Sequence, residues 1–113
     1  GEICLLVQVE TAEALNNIEA IAAVDGVDGI FIGPADLAAS MGHPGNPSAP
    51  EVRAAILNAI ARIRAAGKPA GILSLDPALL KDAVSAGLVF TAVDVDQAIL
   101  LRGARAIAQD WKR

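Results

Sequence analysis

The chain has 113 residues, of which 54% are hydrophobic, 19% charged and 3% aromatic, and its formal net charge is −4. This composition predicts one globular domain with an aliphatic core and excludes a disordered chain. The acidic balance, without a basic cluster, argues against nucleic acid and anionic membranes as partners. The apolar runs are far shorter than the ~20 residues of a membrane helix, and no signal-peptide pattern is visible, so a cytoplasmic location is expected.

Four short apolar runs, at 3–9, 29–32, 70–73 and 88–93, predict β-strands. They do not alternate apolar with polar residues, so both faces of the sheet are expected to be covered, as in a parallel sheet. Cys4, the one cysteine, lies in the first run and is expected to be a small buried hydrophobic residue.

Helical patterns follow the strands. The hydroxyl of Thr11 is expected to cap the first helix. A later helix is predicted to begin at a capping box made by Ser48 and Glu51 and to end at Gly67. The inner faces of these two helices are predicted at helical spacing: Leu15, Ile18, Ile21 and Ala22 in the first, and Val52, Ile56, Ile60 and Ile63 in the second.

Asp76 and Pro77 predict the start of the next helix, with a cap and a proline at the first position. Asp96 is expected to cap the last helix, over 97–111, and Arg102 to lie on its solvated face. The apolar side of that helix is predicted to contain Leu100, Leu101, Ala104 and Ile107. Strand and helix therefore alternate four times, which is typical of an α/β fold with right-handed crossovers.

Two acids follow predicted strands. Glu10 comes after the first strand, and Asp36 comes after the second, beyond a Gly33-Pro34 turn. Parallel strands end at the same edge of a sheet, so if these two strands are neighbours, about 4.8 Å apart, the two carboxylates can reach a common point, where they would repel each other without a cation. Oxygen ligands suit Mg²⁺ or Mn²⁺. Spacing alone leaves an alternative open, in which Asp36 is a helix cap and Glu10 only meets water.

The stretches VQVET, VDGVDGIFIGPADLAASMGHPGNP and AGKPAGIL resemble the class II pyruvate aldolases of the 4-hydroxy-2-oxoheptanedioate aldolase family, relatives of the citrate lyase β subunit. The resemblance implies a (β/α)8 barrel, of which 1–113 would be the C-terminal half, with strands five to eight. It implies Glu10 and Asp36 as ligands of Mg²⁺ or Mn²⁺, with Co²⁺ possible. It also implies that Gln8, the backbone of Ala35 and Asp36, and Leu73 contact a pyruvyl substrate.

The implied reaction is the cleavage of a 4-hydroxy-2-oxo acid to pyruvate and an aldehyde, which needs a base for the C4 hydroxyl. In the family this base comes from the first half of the barrel, so no catalytic base is expected here. His43, in a Gly/Pro-rich loop, is interpreted as a loop residue. Asp94 stands where the family usually has glycine; it is either a third carboxylate near the active face or, preferably, a solvated turn residue.

A half-barrel exposes sheet edges and apolar surface, so association with an N-terminal half-barrel or with another copy is expected. The alternative interpretation is a non-catalytic fragment or engineered half-barrel that serves as a folding or assembly unit. The sequence leaves the aldehyde, the metal and the oligomeric state open.

Overall fold

The computed structural model describes residues 2–112. Along them each strand is followed by one or two helices: β1 (Leu6–Val9), α1 (Ala12–Asn16), α2 (Ile18–Ala22), β2 (Gly29–Ile32), α3 (Pro34–Ser40), α4 (Pro50–Ala65), β3 (Ala70–Leu73), α5 (Pro77–Ser85), β4 (Phe90–Ala92) and α6 (Asp96–Asp110). The strands form one parallel sheet in the order β1-β2-β3-β4, which confirms the predicted α/β fold with a parallel sheet.

The core lies between the sheet and the helices, and α4 is its centre, since it packs against α2, α3, α5 and β3. Its predicted apolar stripe is confirmed, because all four members are fully buried: Val52, Ile56, Ile60 and Ile63. On the sheet side the core is built by Val9, Ile30, Ile32 and Ile72. Burial of these aliphatic side chains is the main favourable contribution to folding.

Three of the predicted helix ends are formed by the residues expected from the sequence. Thr11 caps α1, since its hydroxyl accepts a 3.0 Å hydrogen bond from the Ala14 amide. Asp76 caps α5 through the amides of Ala78 and Leu79. Gly67 follows α4 with φ of 80°, a left-handed conformation that favours glycine. These three predictions are confirmed.

Three other predictions about local structure are wrong. The cap position of α4 is Ala49 rather than Ser48, whose hydroxyl bonds Asp76 instead, so no capping box forms. Asp96 is the first residue of α6 rather than its cap, which is Val95. Cys4 is exposed rather than buried, because it precedes the point where β1 joins the sheet.

Only one face of the sheet is covered by helices within residues 2–112, although both faces were predicted to be covered. On the other face the pairing places Gln8, Phe31, Gly71 and Phe90 in one row across the four strands. The rings of Phe31 and Phe90 lie 5.8 Å apart above Gly71. A Cβ at Gly71 would lie 2.9 Å from Phe31, so the residue must be small. Phe90 remains 55% exposed on this face.

The last helix lies apart from the core, since α6 contains no buried residue. Its predicted apolar side is exposed, with Leu100 at 75% and Ile107 at 65%. The radius of gyration, 16.2 Å, exceeds the roughly 13 Å of a compact domain of about 100 residues. Among residues 2–112, none of the helices combines the length and the hydropathy required to cross a bilayer.

Candidate active site at the strand ends

A cavity of about 530 Å³ lies at the carboxyl ends of β1, β2 and β3. Parallel α/β sheets place their ligand sites at this edge, because the loops that follow the strands converge there. The lining residues are Gln8, Glu10, Phe31, Gly33, Pro34, Ala35, Asp36, Pro47, Ser48, Leu73, Ser74, Leu75, Asp76 and Leu79. Every residue predicted to bind metal or substrate, Gln8, Glu10, Ala35, Asp36 and Leu73, is among them.

Strand pleating explains why Glu10 faces the cavity. Successive side chains of a strand point to opposite faces, and Val9 is fully buried in the core under the helices. Gln8 and Glu10 therefore belong to the other face, where both line the cavity with Phe31. The same alternation places Leu73 on this face, because its neighbour Ile72 is fully buried in the core.

Gly33 brings the second strand end close to Glu10. Its amide donates a 3.2 Å hydrogen bond to the Val9 carbonyl, which prolongs the pairing of β1 and β2 by one residue. A Cβ at Gly33 would lie 2.8 Å from Glu10 Oε2, 3.1 Å from Glu10 Cβ and 3.8 Å from Gln8 Nε2. Only glycine therefore leaves the Glu10 carboxylate in this position without a clash.

Asp36 lies in the first turn of α3 and is exposed at the cavity. It is not the helix cap, since Gly33 occupies that position and makes no side-chain capping bond. The alternative in which Asp36 only caps the helix is therefore wrong. The amides of the first turn have no acceptor within the helix, so those of Ala35 and Asp36 are available to an anion.

Glu10 and Asp36 have no cationic side chain paired with them in the described part of the chain. Within residues 2–112, neither carboxylate belongs to an ion pair, whereas Asp76, Asp82 and Asp94 each lie beside an arginine. Two carboxylates that share a cavity without a cationic side chain are a donor set for a hard divalent cation. The carboxylate oxygens of Glu10 and Asp36, and the close approach of Gly33 to Glu10, would thus fit such an ion.

The described part of the chain contains no cluster of three or more His, Cys, Asp or Glu side chains suited to one metal ion. A cation held by Glu10 and Asp36 would therefore complete its coordination with water or substrate oxygens. Mg²⁺ is commonly bound in this way, through one or two carboxylates.

The far wall of the cavity contains residues that sequence reasoning did not assign to the site: Ser48, Ser74 and Asp76. The Ser48 hydroxyl lies 3.2 Å from Asp76 Oδ2, and the Ser74 hydroxyl accepts a 3.1 Å bond from the Asp76 amide. Hydrogen bonds from the Ala78 and Leu79 amides, then one from the Ser48 hydroxyl and the positive charge of Arg53, hold the pKa of Asp76 below its ordinary value. In the sequence, Asp76 is recognisable only as a helix cap. Ser48 is recognisable only as part of a capping box, which does not form.

Two other polar residues lie outside the cavity lining. His43 lies in the loop after α3, with Nε2 3.8 Å from Glu51 Oε2, in agreement with its interpretation as a loop residue. Asp94 is paired with Arg102, and this bond, with a second from the Val95 amide, lowers the pKa of Asp94. Asp94 is thus not a third carboxylate of the cavity; it lies in the turn before α6, 27% exposed and paired with Arg102, which is 55% exposed as predicted.

The sheet and the cavity define this class of protein: an α/β protein with a cavity, lined by Glu10 and Asp36, at the carboxyl ends of parallel strands. Comparison with known proteins identifies the family. The family described as HpcH/HpaI aldolase/citrate lyase matches residues 1–103. The chain belongs to this family, as its resemblance to the 4-hydroxy-2-oxoheptanedioate aldolases indicated.

Two curated relatives are similar in sequence. A pyruvate aldolase of Rhizobium etli is 62% identical over 107 residues, which are 95% of this chain and 42% of the relative. A 4-hydroxy-2-oxo-heptane-1,7-dioate aldolase of Salmonella paratyphi B is 58% identical over 106 residues, which are 94% of this chain and 40% of the relative. The chain therefore spans less than half the length of these relatives.

Two solved structures have the same arrangement. An HpcH/HpaI aldolase/citrate lyase family protein of Burkholderia cenocepacia superposes with a TM-score of 0.86 at 39% identity, covering 96% of this chain and 42% of that one. The CitE protein of Mycobacterium tuberculosis, in complex with magnesium and pyruvate, superposes with a TM-score of 0.59 at 27% identity, covering 83% and 45%.

Proposed function

We propose that this chain supplies the metal-binding and pyruvate-binding part of an aldolase that cleaves 4-hydroxy-2-oxo acids to pyruvate and an aldehyde. The observation that carries the proposal is the pair Glu10 and Asp36, two carboxylates without an arginine or lysine partner in residues 2–112, which line one cavity. The cation is Mg²⁺ or Mn²⁺, and Co²⁺ is a further candidate with the same preference for oxygen and nitrogen ligands.

Similar proteins support this assignment. The two curated relatives are named as aldolases, one for pyruvate and one for 4-hydroxy-2-oxo-heptane-1,7-dioate. The CitE structure contains both magnesium and pyruvate. These names give no support to the alternative of a non-catalytic folding or assembly unit.

Each lining residue then has a chemical role. Glu10 and Asp36 hold the cation, while Gln8 and the amides of Ala35 and Asp36 bind the oxygens of the 2-oxo acid. Leu73 gives the apolar part of the pyruvyl group a half-buried surface to pack against. The cation, when bound, supplies the positive charge that stabilises negative charge developing on the pyruvyl part as the C3–C4 bond breaks.

The proton of the C4 hydroxyl needs an acceptor, and no histidine of the described chain lines the cavity. We place this base in a part of the enzyme outside this segment. The four strands would then be strands five to eight of a (β/α)8 barrel. Its other half, or another copy of the chain, would cover β1 and β4, where Leu6 is 42% and Phe90 55% exposed.

Calorimetric titration of the protein with Mg²⁺ or Mn²⁺, followed by pyruvate, tests the proposal. Saturable binding of one cation, pyruvate binding that depends on this cation, and loss of both in Glu10→Gln and Asp36→Asn are expected. Wild-type protein without cation binding, or variants that bind as tightly as wild type, would refute it. A retro-aldol assay should find weak or no turnover by residues 1–113 alone, because the base is missing.

A further inference from the structure

The far wall of the cavity is a second polar surface that the proposed metal and pyruvate chemistry does not use. Ser48 and Asp76 both line the cavity, and their side-chain oxygens lie 3.2 Å apart. The other carboxylate oxygen of Asp76 accepts hydrogen bonds from the Ala78 and Leu79 amides, at 2.9 and 3.3 Å. This wall therefore presents a hydroxyl and a carboxylate that are bonded to each other.

The direction of the bond between Ser48 and Asp76 follows from their ionisation. Asp76 has a lowered pKa, so it is an ionised carboxylate at neutral pH, and a carboxylate only accepts hydrogen bonds. Ser48 must then be the donor. Its single hydroxyl proton is donated to Asp76, so towards the cavity the Ser48 oxygen can act only as a hydrogen-bond acceptor. The wall therefore accepts hydrogen bonds and favours ligand groups that donate them.

Asp76 is also held in position by contacts within the protein. Arg53 of α4 lies 3.9 Å from Asp76 Oδ2, forms an ion pair with Asp82 and donates a 3.2 Å bond to the Ala78 carbonyl. The hydroxyl of Ser74, a residue that is only 8% exposed, accepts a hydrogen bond from the Asp76 amide. Arg53 offsets the charge of Asp76, so an anionic substrate is repelled less than by a lone carboxylate.

Strand order gives the position of this wall relative to the carboxylates. Glu10 follows β1, Asp36 follows β2 and Asp76 follows β3, and neighbouring strands lie about 4.8 Å apart. A 2-oxo acid chelated between the first two strand ends would extend its remaining carbons towards the third. The part of a substrate that reaches Ser48 is thus the part beyond its chelating 2-oxo acid group.

We propose that Ser48, oriented by Asp76, is a specificity-determining residue that accepts a hydrogen bond from a hydroxyl group on the distal part of the substrate. The enzyme would thus prefer hydroxylated substrates to their deoxy counterparts. This inference rests on the proposed function, since it places the substrate by its chelating end.

Binding of two pairs of ligands to the Mn²⁺-loaded protein tests the inference by calorimetry. One pair is pyruvate and 3-hydroxypyruvate; the other is 2-oxopentanoate and 5-hydroxy-2-oxopentanoate, which lacks a C4 hydroxyl and so is not cleaved. Wild type should bind the hydroxylated member of at least one pair about tenfold more tightly, the effect of one hydrogen bond. The pair that responds reports the position of the recognised hydroxyl.

Ser48→Ala should lose this preference while Mn²⁺ binds as in wild type, and Ser48→Thr, which keeps the hydroxyl, should retain it. Ser85→Ala, an exposed serine of α5 outside the cavity, is the matched control. A preference that survives Ser48→Ala, or a wild type that prefers neither hydroxylated ligand, overturns the inference. A wild type that binds no Mn²⁺ overturns the proposed function instead.

Discussion

Gly33 passes so close to Glu10 that a methyl group added to it would lie 2.8 Å from Oε2 of the glutamate. Its φ of −103° is accessible to any residue, so the requirement for glycine here is steric and does not come from the backbone conformation. The contact joins the two strand ends that carry the proposed ligands. Gly33 therefore belongs to the proposed cation site, although it offers no side chain.

Gly33→Ala should displace Glu10 and weaken Mn²⁺ binding at least tenfold, while the fold is retained. Calorimetry measures the affinity, and circular dichroism measures the fold. Gly103→Ala is the matched control, because a Cβ at Gly103 meets nothing within 4 Å. Undiminished affinity in Gly33→Ala would show that Glu10 is not a ligand at its present position.

Glu10→Gln and Asp36→Asn should each reduce the affinity for Mg²⁺ or Mn²⁺ by more than about 100-fold. Loss of an outer-shell partner of a metal ligand costs roughly 10–100-fold in affinity, and loss of a direct ligand should cost more. Glu13→Gln and Asp110→Asn are charge-matched controls, because both residues are exposed and lie outside the cavity lining. If the controls weaken binding equally, the effect is one of net charge and the site lies elsewhere.

An acid-sensitive contribution to stability is expected from Glu19. Its hydrogen bond with Arg62, at 2.7 Å from Arg62 Nε to Glu19 Oε1, is the main cause that lowers the pKa of Glu19 from 4.5 to about 2. A depressed pKa in the folded state stabilises the protein above the unfolded value, and this contribution is lost as pH falls from about 4.5 to about 2. The carboxylate is 58% exposed, so solvent screening keeps the effect small.

Urea unfolding of wild type and Glu19→Gln should therefore give different midpoints at pH 7 and converging midpoints as the pH approaches 2. Glu13→Gln provides the comparison, because Glu13 forms no ion pair within residues 2–112. A difference that stays constant across this pH range would contradict the assignment to the Glu19–Arg62 pair.

Substitutions at Ile60 of α4 test how closely the core is packed. It is fully buried, so Ile60→Ala should lower the free energy of unfolding by about 2–5 kcal/mol, through lost transfer energy and a residual cavity. Ile60→Val, which removes one methylene, should cost about 0.5–1.5 kcal/mol. Urea denaturation gives both values, and equal effects of the two variants would indicate that this part of the core is not close-packed.

The uncovered apolar surface leads to a prediction about association. Leu100, Val93 and Val89 are 75%, 62% and 73% exposed in this chain of 11.5 kDa. Such exposed groups of large apolar residues are typical of surfaces that contact another chain or domain. Sedimentation velocity should give a mass above 11.5 kDa for residues 1–113, and Leu100→Lys should lower it. A monomeric wild type would contradict this prediction.

Several features of the fold followed from local sequence patterns. The strands over 29–32 and 70–73 were predicted at their observed bounds, because turn residues on both sides of a short apolar run fix where the strand begins and ends. The first strand was predicted from residue 3 but begins at Leu6, since apolar residues alone do not form a strand without a neighbour to pair with. The helix predicted after Thr11 is divided into α1 and α2 at Asn17.

The sequence by itself determined the alternation of strands and helices, the core stripe of α4 and the positions of Glu10 and Asp36 after two successive strands, because these depend on periodicity and chain order. Only the tertiary structure decided that the Ser48 hydroxyl bonds Asp76 instead of capping α4, and that Asp94 is paired with Arg102 outside the cavity. These contacts join residues 28 and 8 positions apart. Their partners are chosen by how the elements pack, which no local pattern encodes.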